Sequence, residues 1–318
     1  MKVLFADTVH PLLEQALTAR GVECVHDYSS PYEAMKTVLA DFEGLVIRSR
    51  FPVDDALLAF AKKLKFIARS GSGLENIDLA SAKKRGIEVF SSPEGNRDAV
   101  GEHATGMLLT LLNRLHIADA QVRSGQWDRE GNRGTEIKGL TVGIIGYGHM
   151  GSAFAERLKG FSCRILAHDK YKTGFGNEAL EEADLANILD TADVISIHLP
   201  LSAETNHYVN AAFITRMKKP FILINTARGQ HVDTEALAEA LVTGKVRGAC
   251  LDVLEYEKKS LEGLETDQMP APLQALIKSE RVILSPHVAG WTKESYIKLS
   301  AVLAQKLADS GLLPPLEK

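Results

Sequence analysis

Short strand-like runs and longer helical patterns alternate along the first hundred residues. The runs fall at 3–6, 23–26, 45–48, 66–69 and 87–90, with helical patterns near 11–20, 31–41, 54–63 and 78–85. This alternation predicts a parallel sheet with helices on its faces, because a parallel crossover needs a connection about as long as a helix. One long helix is expected from 101 to 124, where Met107, Leu108, Leu111, Leu112 and Leu115 form an apolar stripe at spacings of three and four. The polar stretch 125–138 reads either as an arm that takes Trp127 to a partner subunit or as an ordinary surface loop. The rhythm then resumes. Strands are expected at 194–199, 221–225, 248–253 and 282–285, with a helix at 235–243 capped by Gly244. The tail from 293 to 310 is again helical. With the second sheet finished by His287, this tail is expected to cross back to the first half.

Between the halves, residues 140–151 read LTVGIIGYGHMG. An apolar run (Val142, Gly143, Ile144, Ile145) leads into Gly146, Gly148 and Gly151, and Phe154, Ala155, Leu158 and Phe161 follow at helical spacing. A G-x-G-x-x-G between a buried strand and a helix is the context a dinucleotide-binding turn requires. Gly146 permits the tight turn, Gly148 lets backbone N–H groups approach a pyrophosphate, and Gly151 lets helix and strand pack closely. The helix N-terminus then faces the phosphates with its positive end. Asp169 closes the next apolar run, where a carboxylate would bind the adenosine ribose hydroxyls. It would also repel a 2′-phosphate and so favour NAD over NADP, a preference that Lys170 and Lys172 could soften.

Composition narrows the partners. The chain has 318 residues, long for one core and suited to two domains. Hydrophobic residues make up 45% and charged residues 25%, as in soluble globular proteins. A net charge of −4 gives no reason to expect nucleic acid or an anionic membrane as partner. Cys24, Cys163 and Cys250 are scattered, with neither a disulfide framework nor zinc-like spacing, so a reduced cytoplasmic setting is expected. The N-terminus reads as a first strand and not as a signal peptide, and no apolar run is long enough to span a bilayer.

Arg228, Glu257 and His287 stand at the ends of late strands, which in a doubly wound sheet open on the ligand crevice. Their types suit hydride transfer between a nicotinamide and a 2-hydroxy or 2-oxo acid. An arginine grips the substrate carboxylate through two parallel hydrogen bonds. A histidine gives or takes the proton at the reacting oxygen, and a carboxylate partner fixes its tautomer and favours its protonated form. Glu255 competes with Glu257 for that last role, and either could simply be solvated. The other histidines share no spacing and read as structural. Ser70-Gly71-Ser72-Gly73, directly after a strand, is either an anion site or a plain turn.

Taken together, IIGYGHMG, INTARGQHVD, GACLDVLEYE and LSPHVAGWT resemble, in order and spacing, the signature blocks of the D-isomer-specific 2-hydroxyacid dehydrogenases. GEHATGMLLTLLNR is similar to that family's interdomain helix. The resemblance implies an α/β fold of two Rossmann-like, doubly wound parallel-sheet domains with a cleft between them. One is a flavodoxin-like substrate-binding domain (1–98 plus 290–318), the other an NAD-binding Rossmann domain (99–289). It further implies Arg228 as the substrate-binding arginine, Glu257 as the acidic dyad member and His287 as the acid/base. Asp252 would contact the nicotinamide carboxamide, and His149 and Met150 the pyrophosphate. Leu199, Pro200, Thr226, Ala227, Ala289 and Gly290 would line the rest of the NAD site. Members are usually homodimers.

Within the family, VIRSR, IARSGSGLENID and the SPEGN…GTEIKG stretch resemble phosphoglycerate dehydrogenases, which implies a role in serine biosynthesis. Arg48 and Arg69 would then gather an anionic phosphate, with Ser70, Gly71 and Ser72 supplying donors. Two departures leave the substrate open. The extra C-terminal domains of some such enzymes are not expected here, and LDVLEYEKKSLEGL lacks the usual proline and looks more like D-lactate dehydrogenases. Glyoxylate, hydroxypyruvate and lactate-type acids are the alternatives. A non-catalytic NAD(H)-sensing protein is the rival from another class, though such a sensor has no need of all three residues Arg228, Glu257 and His287.

Overall fold

All the named strands pair in parallel, in two separate sheets. The computed structural model describes residues 1–257 and 269–315, and the chain forms two units, 1–97 with 291–318 and 98–290. In the first unit lie β1 (Lys2–Phe5), α1 (Pro11–Thr18), β2 (Glu23–His26), α2 (Tyr32–Val38), β3 (Gly44–Ile47), α3 (Asp55–Leu58), β4 (Phe66–Arg69), α4 (Leu79–Lys84) and β5 (Glu88–Ser91). Their sheet has the order β2-β1-β3-β4-β5, which reverses direction between β1 and β3. Helix α5 (Pro93–Leu112) runs across the boundary and is followed by α6 (Leu115–Arg123).

The second unit continues with β6 (Thr141–Ile145), α7 (His149–Leu158), β7 (Arg164–His168), β8 (Glu181–Glu182), α8 (Leu185–Thr191) and β9 (Val194–Ile197). Then come α9 (Ala211–Arg216), β10 (Phe221–Asn225), α10 (Thr234–Val242), β11 (Val246–Leu251), α11 (Ala271–Lys278) and β12 (Val282–Leu284). The order is β12-β11-β10-β9-β6-β7-β8, with its reversal between β6 and β9. Central β6 and β10 are buried at every position, whereas edge β8 is exposed at both of its residues. This is the burial a sheet covered on both faces imposes.

Helix α12 (Lys293–Asp309) returns to the first unit as expected. Its Leu303 and Leu307 are wholly buried among Val3, Phe5, Leu13 and Leu17. A capping box between Thr292 and Ser295 fixes its start.

The single helix expected at 101–124 is two helices. α5 starts earlier, at Pro93, where a proline costs no intrahelical hydrogen bond. The run then breaks at Arg114, whose φ of 52° is left-handed, while the Leu112 carbonyl is taken by the N–H of Thr135. The apolar stripe continues across the break, so periodicity alone does not reveal it. Within the loop after α6, Trp127 is 80% exposed.

His198 follows β9 at the reversal point, and its Nδ1 is buried with no hydrogen-bond partner among the described residues. Its Nε2 pairs with Ser196 Oγ at 2.8 Å, and its ring lies 5.6 Å from that of Phe154. Burial pushes its pKa down to about 4. The unfolded chain therefore binds a proton that the folded chain refuses between pH ~6.5 and that value. The stability this implies is complete above the upper limit and is lost as pH falls through the window. Denaturant unfolding at pH 7, 5.5 and 4 should show that decline, and His198→Gln should flatten it. An unchanged slope in the variant would assign the decline to other groups.

Candidate active site

The glycine turn is forced by its neighbours. Gly146 has φ +94°, and a Cβ there would sit 2.6 Å from the His198 carbonyl oxygen. A Cβ on Gly151 would sit 2.0 Å from the Gly146 oxygen. Gly148 differs, since a Cβ on it would meet no protein atom within 4 Å. Its side-chain position is open space at the start of α7, and no side chain caps that helix end. The N–H groups leading into His149 and Met150 are therefore directed at a place an anionic group can fill. Thr226 adds a buried hydroxyl that finds no hydrogen-bond partner among the described residues. These features fit a dinucleotide. Leu199 and Pro200 follow β9, beside the turn, with Leu199 Cδ2 3.2 Å from the Gly146 Cβ position.

Asp169 ends β7 one strand away. Its Oδ2 accepts the Tyr147 N–H at 2.8 Å, and its Oδ1 accepts those of Tyr171 at 2.9 Å and Lys172 at 3.0 Å. Partial burial opposes ionisation, but the N–H groups of Tyr171, Tyr147 and Lys172 outweigh it and hold the carboxyl below the ordinary carboxylate range. The carboxylate is thus charged and fixed in orientation beside the glycine turn.

Arg228, Glu257 and His287 stand after β10, β11 and β12, three adjacent strands, so the structure brings them to one end of one sheet. The first is placed by Asn225, which is wholly buried. Asn225 Oδ1 accepts the Ala227 N–H at 3.0 Å and its Nδ2 donates to the Arg228 carbonyl at 2.8 Å, folding the Thr226-Ala227-Arg228 turn. Gly229 follows, packed so closely that a Cβ would lie 1.9 Å from the Leu254 oxygen of the Glu257 loop.

His287 is placed by Asp252, whose side chain is 1% exposed. Asp252 Oδ1 accepts from Ser285 Oγ at 2.6 Å and from the Val288 N–H at 2.9 Å, and Oδ2 accepts the Ala289 N–H at 2.9 Å. The Asp252 carbonyl takes the His287 N–H at 2.7 Å. His103 Nε2 stands 2.9 Å from Ser285 Oγ. This grip holds His287 at φ 54°, a left-handed backbone that few non-glycine residues adopt. Expected as a carboxamide contact, Asp252 is seen in the structure anchoring the loop that carries His287 and ends at Ala289 and Gly290.

His287 Nδ1 donates to Glu257 Oε1. A carboxylate only accepts, so the proton sits on Nδ1 and Nε2 is left for a reactant. The two side chains are 48% and 36% exposed, so a small molecule can reach them. Glu255, the rival candidate, is otherwise engaged: its Oε1 pairs with His207 Nε2 at 2.7 Å and its Oε2 accepts the Thr234 N–H at 3.0 Å. It ties the Glu257 loop to α10. Asn225 and Ser285 are supporting residues that sequence reasoning missed, while His103 and His207, read as structural, and Glu255, read as a rival of Glu257, prove to be supports of the same loops. Their only signal is proximity in space.

In the first unit, Arg48 follows β3, at the reversal point, and Arg69 ends the adjacent β4. Gly71, at φ +147°, leaves the room the Arg69 side chain occupies, since a Cβ there would fall 1.7 Å from Arg69 Nη1. Three donors of the next loop have partners within the unit. The Gly71 N–H goes to Ser92 Oγ at 3.2 Å and the Ser72 hydroxyl to Asn96 Oδ1 at 2.6 Å, while the Ser70 N–H goes to the Ile47 carbonyl at 2.9 Å. These bonds fasten the serine-glycine loop within its own unit.

The family model of the D-isomer specific 2-hydroxyacid dehydrogenase NAD binding domain matches residues 105–289. A D-3-phosphoglycerate dehydrogenase of Archaeoglobus fulgidus is 33% identical over 311 residues, 97% of this chain and 57% of that protein. The chain thus spans just over half the length of that relative. A hydroxypyruvate reductase of Thermotoga maritima is 34% identical over 286 residues, 90% of each chain. A solved D-2-hydroxyisocaproate dehydrogenase superposes with a TM-score of 0.83 at 27% identity, covering 97% of this chain and 96% of that one. The chain belongs to the D-isomer specific 2-hydroxyacid dehydrogenases, an oxidoreductase family with an NAD-binding domain. Among the described residues no helix is long and apolar enough to cross a membrane.

The Asp252 network separates two roles by measurement. Asp252→Asn places an amide against N–H donors, so kcat should fall at least about tenfold and stability by about 2 kcal/mol, with the NADH dissociation constant unchanged. A raised dissociation constant at unchanged kcat would instead make Asp252 a cofactor contact.

Proposed function

We propose that this chain is an NAD-dependent D-2-hydroxyacid dehydrogenase whose leading substrate is D-3-phosphoglycerate. The observation that carries the reading is the His287–Glu257 pair, which follows the two strands next to that of Arg228 at one end of the sheet that bears the glycine turn. Bound nicotinamide would supply or accept the hydride. Arg228 grips the substrate carboxylate with parallel N–H groups. His287 Nε2 delivers the proton to the carbonyl oxygen in reduction and removes it from the hydroxyl in oxidation. Glu257 holds Nδ1, so Nε2 is the ring atom left to exchange the proton with the substrate in either direction. Gly146, Gly148, Gly151, His149 and Met150 receive the pyrophosphate. Thr226, Ala227, Leu199, Pro200, Ala289 and Gly290 line the cofactor further along. Asp169 binds the ribose and favours NAD over NADP.

Arg48 and Arg69 gather the distal phosphate beside the 70–72 loop. The Thermotoga maritima hydroxypyruvate reductase, matched over 90% of both chains, and a Thermofilum pendens glyoxylate reductase, 36% identical over 91% of this chain, favour hydroxypyruvate or glyoxylate as the second reading. A homodimer acting in cytoplasmic serine biosynthesis completes the proposal, with the exposed Trp127 loop as the arm between copies. Sedimentation would read that assembly.

NADH absorbance should report turnover with 3-phosphohydroxypyruvate above hydroxypyruvate, glyoxylate and pyruvate. No turnover with any of them would leave only a cofactor-sensing role. His287→Ala should lower kcat by about 10²–10⁴ with little change in NADH binding. Arg228→Ala should raise KM and lower kcat together. Wild-type turnover in either variant would remove its assigned role.

A further inference from the structure

Arg48 and Arg50 leave the same strand end and meet opposite fates. The Arg50 guanidinium donates to the carbonyls of Ala6, Asp27 and Ser30 and lies 3.9 Å from the Asp27 carboxylate, so it is consumed in fastening the loops of the first unit. Arg48 is fastened through its backbone alone, its N–H reaching Asp7 Oδ2 at 2.6 Å. Among the described residues its guanidinium has no carboxylate partner. It lies over the ring of Trp291, its central carbon 4.2 Å from the ring centroid.

Trp291 is 64% exposed, so core packing does not explain an indole at this position. It sits immediately before α12, whose start is fixed by the Thr292 capping box, so the ring is mounted on a rigid base. Arg48 in turn follows β3 at the point where the sheet order reverses, the place where open α/β sheets take their ligands. A guanidinium that rests one face on an aromatic ring keeps its in-plane N–H groups available and loses much of its rotational freedom. What remains is a planar fork matched to the oxygens of a phosphate or carboxylate.

We propose that Trp291 is a specificity-determining residue, whose indole holds the Arg48 guanidinium ready for the second anionic group of a phosphorylated 2-hydroxy acid. This rests on the reading that Arg48 meets the substrate's distal end. A positioned cation favours a dianionic phosphate and gives nothing to a hydroxymethyl group at the same place. Trp291 thereby separates 3-phosphohydroxypyruvate from hydroxypyruvate, two acids that differ only in that phosphate.

Trp291→Ala should raise KM for 3-phosphohydroxypyruvate roughly two- to thirtyfold, the range of cation–π contacts from exposed to desolvated. KM for hydroxypyruvate, and kcat for both, should stay unchanged. Trp291→Phe should retain most of the wild-type preference, and in an Arg48→Ala background Trp291→Ala should add nothing. Equal loss on both acids, or additive effects of the two substitutions, would overturn the proposal. An independent readout uses Trp127→Phe, which leaves Trp291 as the sole indole. Its emission should change on titration with 3-phosphoglycerate and not with D-glycerate, and a silent titration would overturn the clamp. Failure of the wild type to reduce 3-phosphohydroxypyruvate would overturn the substrate reading, while the emission titration still decides for or against the clamp.

Discussion

Loops at the carboxyl ends of both sheets hang from short polar side chains that terminate strands. Asp7 after β1 takes the N–H groups of Arg48, Ser49 and Arg50 on a single carboxylate oxygen. Asp169 takes those of Tyr147, Tyr171 and Lys172, Asn225 braces the Arg228 turn, and Asp252 braces the His287 turn. A carboxylate that collects backbone donors fixes the loop's path without occupying the loop's own side chains. Arg48 is held in this way by its main chain, and the turns that carry Arg228 and His287 are braced through backbone groups. The alternative, in which charged side chains fasten the loops themselves, is seen at Arg50, where the guanidinium is used up.

Strain and burial meet at one of these anchors. A left-handed non-glycine residue costs about 1–3 kcal/mol and persists only where its surroundings over-determine it. Around His287 they do: one residue, Asp252, accepts hydrogen bonds from His287, Val288 and Ala289 through its carbonyl and both carboxylate oxygens. Burying that carboxylate is tolerable because each oxygen is hydrogen-bonded. A similar logic beneath the glycine turn keeps His198 neutral, since a charged imidazole would be buried there without a counter-ion.

Much of this was legible in the order of residues. Strand β10 falls where its apolar run does, and α12 returns to the first unit as the early finish of the second sheet implied. Arg228, Glu257 and His287 were readable as polar residues after late strands, and the structure sets them at one end of one sheet. Helices α8 and α9 were not readable, because each buries only two residues of its own, too few to set a period. Nor was the break at Arg114, because a left-handed residue leaves the apolar stripe intact on either side. The anchors were hidden for another reason. Asp7 and Arg48 are 41 residues apart in sequence, and what joins them is the adjacency of β1 and β3, which no local pattern encodes. Asp252 was noticed on resemblance, while its hold on the His287 turn appears only when β11 and β12 are side by side.

The return of α12 also bears on how the molecule is made. Leu303 and Leu307 complete an apolar layer begun by Val3, Phe5, Leu13 and Leu17. The strands of the first unit that precede α5 therefore leave the ribosome with one flank of their sheet uncovered. That flank stays bare while the whole middle of the chain is translated, and it closes only when the final helix arrives. The intervening unit, contiguous in sequence, can collapse on its own in the meantime. During synthesis β1 and α1 are thus among the last elements of the first unit to reach their final packing.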